Sequence, residues 1–286
     1  SLIRSCEPGE QVVIVGMIEA QDDSYSNKDR ELKYYINAHS VVNTTDNQTI
    51  LLTDDDRKKM QELMQSPEHL ANIRKSYAPT VYGSDHVKEA LAYQQCEGVT
   101  HIIDGDRQRG QIHILLAGPP GVAKSVLGKY SARYHPKGRE VAARSTSAVG
   151  LTAAVVKEGD EFMLKAGAMV LADKGLLFVD EAEKMTREDS GAMHPGMEAQ
   201  EIEVNKGGIS ATLKSRCSII MACNPIGGLW DDGEMLIANL HKGNQGLALT
   251  LLDRCALIYV IRMESDAVKE RKVIRHISKV QQASGV

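Results

Sequence analysis

The sequence has few cysteines, and their spacing is unlike that of disulfide-paired or zinc-binding cysteines. The chain of 286 residues contains Cys6, Cys96, Cys217, Cys223 and Cys255, and these form no C-x-x-C pair. An odd number of cysteines without paired spacing argues against a disulfide framework and against a zinc cluster. The sequence therefore predicts a protein of a reducing compartment.

Long apolar runs and a strong net charge are absent too. No run approaches the roughly 20 apolar residues that span a bilayer, and no basic stretch with an apolar core opens the sequence. We therefore expect neither membrane association nor export. The net charge is −4, so a contact with nucleic acid would need a local basic patch.

The composition that remains is globular. Apolar residues make up 42% and charged residues 25%, and the length suffices for two ordinary domains. Residues 10–20 and 31–42 are rich in β-branched and aromatic residues and predict strands at the end of a β-barrel. Two strands cannot bury a core, so we expect residues outside this chain to complete the barrel, or the strands to be loosely ordered. Polar residues 43–53 predict a linker.

The rest of the chain predicts a parallel sheet covered by helices. Thr53 is a candidate N-cap for a helix over residues 53–65, and another helix is predicted over 86–96. Short apolar runs then alternate with longer helical segments, one of which covers residues 126–134. The apolar runs span residues 112–118, 175–185, 216–225 and 256–263. This alternation is typical of an α/β fold with helices on both faces of a parallel sheet.

The segment GPPGVAKS, residues 118–125, lies between a predicted strand and a predicted helix. It follows the phosphate-loop pattern G-x-x-x-x-G-K-[ST], except that Ala123 replaces the second glycine. In such a loop the backbone N–H groups cradle the phosphates, Lys124 binds the β- and γ-phosphates, and Ser125 holds Mg²⁺. The alternative is an ordinary turn between a strand and a helix.

Polar residues mark the borders of the other apolar runs. Asp180 would reach Mg²⁺ and Glu181 would polarise the attacking water, unless the pair forms a solvated turn. Asn224 would position that water or contact the γ-phosphate, and the alternative is an Asn-Pro turn. Arg254 would reach the phosphate of a neighbouring subunit as an arginine finger, and the alternative is a snorkelling surface side chain.

These motifs occur in order with several further segments. The segments are PGEQVVIVG (8–16), SYAPTVYG (76–83), STSAVGLTAAVV (145–156), KAGAMVLADKG (165–175) and CNPIGG (223–228). Together they resemble the minichromosome maintenance (MCM) replicative helicases, a family of AAA+ ATPases, over nearly the whole chain. The family's phosphate loop reads G-x-P-G-x-A-K-S, so Ala123 matches the family's own form.

The resemblance implies an α/β fold, an AAA+ P-loop ATPase core preceded by the C-terminal strands of an OB-fold β-barrel. Residues 1–45 would be the end of the OB-fold, residues 46–75 a linker and helix, and residues 76–286 the ATPase domain. The family's C-terminal lid and its zinc-bearing N-terminal subdomain are expected to be missing from this chain.

The resemblance also implies ATP and Mg²⁺ as cofactors and assigns roles to the site residues. Ser125 and Asp180 would hold Mg²⁺, and Asp180 and Glu181 would form the Walker B pair. Asn224 resembles sensor 1, and Arg254 resembles the arginine finger that acts on the next subunit's ATP. Lys124 completes the expected catalytic set. The residues expected to bind nucleotide are Gly118, Pro119, Pro120, Gly121, Val122, Ala123, Lys124, Ser125 and Val126.

Two segments, residues 152–170 and 200–217, resemble the family's DNA-handling hairpins. Lys206 near the tip of the second would meet a phosphate of single-stranded DNA, and the alternative is a solvated hairpin tip. The implied partners are related subunits in a homo- or hetero-hexamer, single- and double-stranded DNA, and replication loading and activating factors. Such a protein is nuclear in a eukaryote and cytoplasmic in an archaeon, and the segment GAMVLAD favours the nucleus.

The chain also departs from the family's pattern. The usual D-E-F-D-K-M reads DEAEKM here, so Ala182 removes an aromatic contact while Glu183 keeps the charge. Pro195 and Gly196 stand inside a predicted helix, which predicts a kinked or shortened helix. Asp253 beside Arg254 is expected to pull the guanidinium away from a neighbour's phosphate.

The function that these residues predict is that of an ATP-dependent DNA helicase subunit in a hexameric ring used for replication. Two other hypotheses stay open at this point. One is a ring subunit that binds ATP but contributes little hydrolysis, and the departures at Ala182, Pro195 and Asp253 motivate it. The other is a related AAA+ remodeller that acts on a protein or a small ligand.

Overall fold

The structure is a computed structural model that describes residues 6, 12–22, 32–43, 52–158, 161–206, 208–243, 245–263 and 267–283. The chain divides into two compact units, Ser1–Leu52 and Thr53–Val286. Most of the linker predicted at residues 43–53 lies outside the described residues.

The first unit contains an antiparallel pair of strands, β1 (Val12–Asp22) and β2 (Leu32–Asn43). Val12 lies opposite Asn43, and the register shifts between Val15 and Gly16. The two predicted strands are therefore confirmed. Most of the apolar side chains described in these strands are exposed, including Ile18 at 75%. Two strands alone do not bury a core, and the assignment of this unit to an OB-fold stays a prediction.

The second unit begins with a capped helix. The Thr53 side chain accepts a hydrogen bond from the Asp56 backbone N–H at 3.2 Å, and the Asp56 carboxylate accepts from the Thr53 N–H at 3.1 Å. This reciprocal capping box confirms Thr53 as the N-cap. The helices are α1 (Asp54–Gln65), α2 (His69–Ser76), α3 (Asp85–Gln95), α4 (Lys124–Tyr134), α5 (Ala148–Leu151), α6 (Ala168–Leu171), α7 (Arg187–Glu198), α8 (Leu236–Leu240), α9 (Leu249–Leu252) and α10 (Ala267–Ala283).

The strands of the second unit form one central sheet and several two-stranded ones. They are β3 (His101–Ile103), β4 (Asp106–Gln108), β5 (Ile114–Ala117), β6 (Gly138–Ala142), β7 (Ala153–Glu158), β8 (Glu161–Ala166), β9 (Leu176–Asp180), β10 (Glu201–Lys206), β11 (Ile209–Lys214), β12 (Ser218–Cys223), β13 (His241–Lys242), β14 (Gln245–Gly246) and β15 (Leu257–Val260). The central sheet has the order β15-β5-β12-β9-β6, and its neighbours are all parallel.

Each of the four apolar runs in the sequence contributes one strand to this sheet, namely β5, β9, β12 and β15. Because all the strands run in one direction, their C-terminal ends meet at one edge of the sheet, which we call the carboxyl edge. Their N-terminal ends meet at the opposite, amino edge. Polar residues that follow different strands are thereby brought together at the carboxyl edge.

Side chains that alternate along the strands pack into two separate cores. Ile114 and Leu116 of β5 lie in the core that includes Val87 of α3 and Leu127 of α4. Leu115 and Ala117 lie in the other core, with Met193 and Met197 of α7 among its members. Helices therefore cover both faces of the parallel sheet, as the sequence predicts for an α/β fold.

Helix α7 is longer than its sequence predicts. It spans 12 residues with Pro195 inside, and the Ala199 N–H donates to the Pro195 carbonyl at 2.8 Å. A Cβ at Gly196 would lie 2.7 Å from Met169 Cε, so the glycine leaves room for the Met169 side chain of α6. The expected shortening is wrong, because the packing of Met193 and Met197 in the core outweighs the cost of proline, and the expected kink stays a prediction.

Two hairpins extend from the second unit. β7 pairs with β8, and β10 pairs with β11, both antiparallel. They coincide with the two segments whose sequences resemble DNA-handling hairpins, and the predicted hairpins are confirmed. None of the helices in the described part of the chain is long and apolar enough to cross a membrane.

Candidate functional site

The loop between β5 and α4 has a backbone suited to phosphate. Gly121 and Ala123 both have left-handed backbone angles, with φ of 86° and 61°. A left-handed alanine costs about 1 kcal/mol more than glycine would. Ala123 is also the N-cap of α4, and its methyl group offers no acceptor to the first N–H groups of the helix. Those N–H groups and the helix dipole are the features that bind phosphate.

Lys124 is a buried cation that the loop surrounds. The residue is only 7% exposed, and Nζ donates to the carbonyls of Gly118 and Pro119, both at 2.7 Å. Nζ also donates to Asn224 Oδ1 at 3.1 Å. Burial lowers the pKa of Lys124, and the nearby Cys223, Glu183 and Asp180 act in the opposite direction. The loop therefore holds one positive charge at the carboxyl edge.

Ser125 and Asp180 offer oxygen atoms side by side. Ser125 Oγ donates to Asp180 Oδ1 at 2.9 Å, and the same carboxylate oxygen accepts from the Glu181 N–H at 3.0 Å. A hydroxyl and a carboxylate fit Mg²⁺, which usually binds one or two protein oxygens and completes its shell with water and substrate phosphates. Within the described residues, no group of three or more His, Cys, Asp or Glu forms a protein-only metal cluster.

The site residues line a pocket of about 460 Å³, a volume in the range of small-ligand sites. The lining residues are Pro120, Gly121, Ala123, Lys124, Ser125, Val126, Asp180, Glu181, Glu183, Ala222, Cys223 and Asn224. Of the predicted nucleotide-binding residues, Gly118, Pro119 and Val122 do not line it. The carbonyls of Gly118 and Pro119 accept hydrogen bonds from Lys124, which does line the pocket.

Glu181 and Cys223 border the pocket in different ways. Glu181 has a left-handed backbone with φ of 53°, an uncommon angle for this residue type that is concentrated at functional sites. It begins the short 3₁₀ turn Ala182–Lys184. Burial raises the pKa of Cys223 to about 12, so its thiol stays protonated near neutral pH and is a poor nucleophile.

Arg254 lies at the amino edge, away from this pocket. It comes just before β15, whereas Lys124 follows β5, and these two strands are parallel neighbours. A strand of four residues is about 13 Å long, so the length of the sheet separates the two side chains. Arg254 is accordingly not among the residues that line the pocket.

Within its own chain, Arg254 pairs with Glu198 and not with the expected Asp253. Its Nη2 donates to Glu198 Oε2 at 2.8 Å, and its Nε donates to His194 Nε2 at 3.3 Å. Asp253, the expected competitor, is exposed. Helix α7 contacts α9, which brings the end of α7 to Arg254. The expectation that Asp253 would hold the Arg254 guanidinium is therefore wrong.

Lys206 ends β10, opposite Ile209 on β11, at the tip of the second hairpin. Its side chain is exposed. Asn205 Oδ1 accepts from Ser210 Oγ at 2.6 Å beside it. Lys206 is not a lining residue of the pocket, so any contact it makes belongs to a different surface.

The sequence was compared with known protein families and with individual proteins. A profile of the MCM P-loop domain matches residues 56–281. The chain belongs to the MCM family. It is 35% identical over 281 residues to DNA replication licensing factor MCM3 of Entamoeba histolytica, with 98% of this chain and 45% of that protein covered.

Two further relatives are similarly distant from this MCM chain. Minichromosome maintenance protein MCM of Saccharolobus solfataricus is 34% identical, with 96% of this chain and 40% of that protein covered. DNA replication licensing factor Mcm2 of Drosophila melanogaster is 32% identical, with 96% and 31% covered. The chain therefore spans less than half the length of these MCM relatives.

Two residues at these sites were missed by sequence reasoning. Glu183 lines the pocket and accepts hydrogen bonds from Asn224. Arg109 donates to the Arg254 carbonyl at 2.9 Å and also to the Met197 carbonyl. The signal for Glu183 was its match in charge to the acid of the family's D-E-F-D-K-M motif, which the sequence analysis noted without assigning Glu183 to the site. Nothing in the sequence of this MCM chain singles out Arg109, since its partners come from distant segments.

Proposed function

We propose that this chain is part of an ATP-dependent DNA helicase subunit that works in a hexameric ring during replication. The observation that carries the proposal is the convergence of Lys124, Ser125, Asp180 and Asn224 on one pocket at the carboxyl edge. These four come from three different strand ends, and an ordinary turn would not gather them. The membership of the chain in the MCM family supports ATP as the nucleotide and a ring as the assembly.

In this proposal the pocket binds the phosphates of ATP. Lys124 exchanges its bonds to the Gly118 and Pro119 carbonyls for the β- and γ-phosphate oxygens, and the N–H groups at the start of α4 complete the cradle. Ser125 and Asp180 would hold Mg²⁺, which neutralises charge that develops on the phosphates. Glu181 orients the attacking water, and Asn224 contacts that water or the γ-phosphate.

Arg254 would act on the ATP of the next subunit. Its place at the amino edge supports a role in trans, because it precedes β15 while the phosphate loop follows β5. An arginine finger is worth roughly 10³ to 10⁵ in rate where one has been measured. Hydrolysis would then require assembly, because each active site takes residues from two subunits.

Lys206 and the two hairpins would contact DNA. The exposed lysine at the hairpin tip supports a contact to a phosphate of single-stranded DNA, which carries no sequence information and weakens with salt. The three relatives are named as replication licensing or minichromosome maintenance proteins. We therefore propose a nuclear location for a eukaryotic source and a cytoplasmic one for an archaeal source, with loading and activating factors as further partners.

A second candidate function is a ring subunit that binds ATP but hydrolyses little. The observation that favours it is the bond from Arg254 to Glu198 within the same chain. A guanidinium that stays on Glu198 would not reach a neighbour's phosphate. A related AAA+ remodeller is the third hypothesis, and salt-sensitive binding of single-stranded DNA that is lost in Lys206→Ala would exclude it.

ATP turnover with and without single-stranded DNA tests the main proposal. We expect Lys124→Ala to abolish ATP binding and Glu181→Gln to keep binding but remove turnover. Lys129→Ala is the matched control, since Lys129 lies on the same helix but pairs with Glu140 on the surface. Binding without turnover in every subunit mixture would favour the second candidate. Equal ATP binding by the wild type and Lys124→Ala would overturn both.

A further inference from the structure

Glu183 makes two hydrogen bonds to a single residue of the pocket. Its Oε1 accepts from Asn224 Nδ2 at 2.8 Å, and its Oε2 accepts from the Asn224 backbone N–H at 3.1 Å. The carboxylate therefore accepts hydrogen bonds from both the side chain and the main chain of Asn224. On the other side of the same amide, Asn224 Oδ1 accepts from Lys124 Nζ at 3.1 Å.

The charges on the two sides of the amide specify its orientation. An asparagine side chain has a donor end and an acceptor end. A carboxylate only accepts hydrogen bonds and an ammonium only donates them, so the amino group must face Glu183 and the oxygen must face Lys124. The reversed amide would place oxygen against the carboxylate and hydrogen against the ammonium. Both charged neighbours thus favour the same orientation.

The segment that carries Glu183 is firmly anchored. Glu183 lies in the 3₁₀ turn Ala182–Lys184, directly after Glu181. Ala182 is fully buried in the core that contains α7, and Met185 at the end of the turn is buried there as well. A short anchored turn therefore connects the backbone of Glu181 to the group that holds Asn224.

We propose that Glu183 is a positioning residue of the nucleotide site, which fixes the Asn224 amide with its oxygen toward Lys124 and the phosphate loop. This inference rests on the proposed function, since it assumes that Asn224 contacts the γ-phosphate or its attacking water. Glu183 acts through Asn224 and needs no contact with nucleotide. Without it, only the bond from Lys124 holds the amide, so the second N–H of the Asn224 amino group is less well placed to donate to the terminal phosphate.

The test compares the binding of ATPγS and ADP in the presence of Mg²⁺, because only the first carries a terminal phosphate. The measured quantity is the ratio of the two Kd values, determined by calorimetry on the 286-residue chain. We expect Glu183→Gln to reduce the preference for ATPγS about tenfold, as expected for one lost hydrogen bond to a charged group. Glutamine keeps the shape of glutamate but cannot accept from both N–H groups. Glu188→Gln is the matched control, an exposed glutamate on the first turn of α7.

A double-mutant cycle with Asn224→Ala separates positioning from a direct charge effect on Lys124. In the Asn224→Ala background we expect Glu183→Gln to change the ratio less than twofold, because the group that it positions is gone. An unchanged ratio in Glu183→Gln alone, or a full tenfold effect in both backgrounds, would overturn the inference while leaving the proposed function intact. Wild-type chain that binds neither ligand would overturn both.

Discussion

The two edges of the central sheet hold charged side chains in different ways. At the carboxyl edge the charges are gathered around a pocket, and Lys124 is only 7% exposed. At the amino edge the Arg254 side chain is 31% exposed and its partner Glu198 is 51% exposed, so the pair faces solvent. The first arrangement is built to keep its groups in place, and the second leaves its arginine able to change partners.

This difference has a physical consequence for a ring. A buried cation with three oxygen partners loses much free energy if it is displaced without a substitute. A solvent-exposed ion pair contributes little and exchanges readily. Under the proposed function, one subunit would offer a preorganised phosphate site at one edge and an exchangeable guanidinium at the other, which suits a site shared between neighbouring subunits.

The largest predicted effect tests whether the two edges cooperate in trans. In an assembled ring, Arg254→Ala should reduce ATP turnover at least about 10³-fold, while ATP binding to the isolated chain stays unchanged. Mixing Arg254→Ala chains with Lys124→Ala chains should restore part of the turnover, because some interfaces then pair an intact pocket with an intact arginine. Arg133→Ala, an exposed arginine on α4, is the control. Mixtures as inactive as the single variants would show that Arg254 acts within its own subunit.

The next prediction concerns the helix that begins at the pocket. A Cβ at Gly128 of α4 would lie 2.1 Å from the ring of Phe178, which is fully buried in the sheet. Gly128→Ala should therefore lower the free energy of unfolding by about 3 kcal/mol, the upper range for overpacking a core. Denaturant unfolding measures the change.

The matched control lies on α7, which holds Arg254 at the other edge. A Cβ at Gly191 meets nothing within 4 Å, so Gly191→Ala should raise the free energy of unfolding by about 0.5–1 kcal/mol through helix propensity alone. Equal effects of the two substitutions would contradict the close approach of α4 to the sheet.

The elements of the carboxyl edge were largely predictable from the sequence. Strands buried on both faces are continuous apolar runs, and β5, β9, β12 and β15 stand out for that reason. The residues that follow these strands meet because parallel strands end at one edge. The sequence placed Ala123 at the glycine position of the phosphate-loop pattern, and its left-handed backbone was not predicted.

The contacts between distant segments were not predictable. Glu183 and Asn224 are 41 residues apart, and Glu198 and Arg254 are 56 residues apart. Which side chains meet depends on how the helices cross the sheet, and a single sequence carries no local mark of that. The shortening predicted for α7 was wrong for the same reason, since propensity at Pro195 is local while the packing of α7 is not.

We expect the free energy of unfolding to depend on pH through His113 at the amino edge. Buried His113 accepts from the Ile219 N–H through Nδ1 and donates to the Met197 carbonyl through Nε2, both at 3.2 Å. Burial, and then the charge of Arg109, lower the pKa of His113 from 6.5 to about 4. Protonation would also add a hydrogen to Nδ1, so that two donors, this N–H and the Ile219 N–H, would face each other.

Because the folded pKa lies below the unfolded one, the unfolded chain binds the proton first, and stability falls as the pH drops from 6.5 toward 4. Between pH 7 and pH 5 the loss assigned to His113 should be about 2 kcal/mol. His113→Gln should start less stable but lose about 2 kcal/mol less over this interval in denaturant unfolding. The same slope in both proteins would place the pH dependence elsewhere.

The smallest predicted effect is the coupling free energy between Arg254 and Glu198, which measures how firmly the amino edge holds this arginine. Because Arg254 and Glu198 are both partly exposed, their coupling free energy in a double-mutant cycle of Arg254→Ala and Glu198→Ala should be below about 1 kcal/mol. A value that small lets a phosphate displace Glu198, since hydrogen bonds to a phosphate in a closed interface are stronger. A coupling of several kcal/mol would instead bind Arg254 to its own chain, and the subunit would then bind ATP without contributing to its neighbour's hydrolysis.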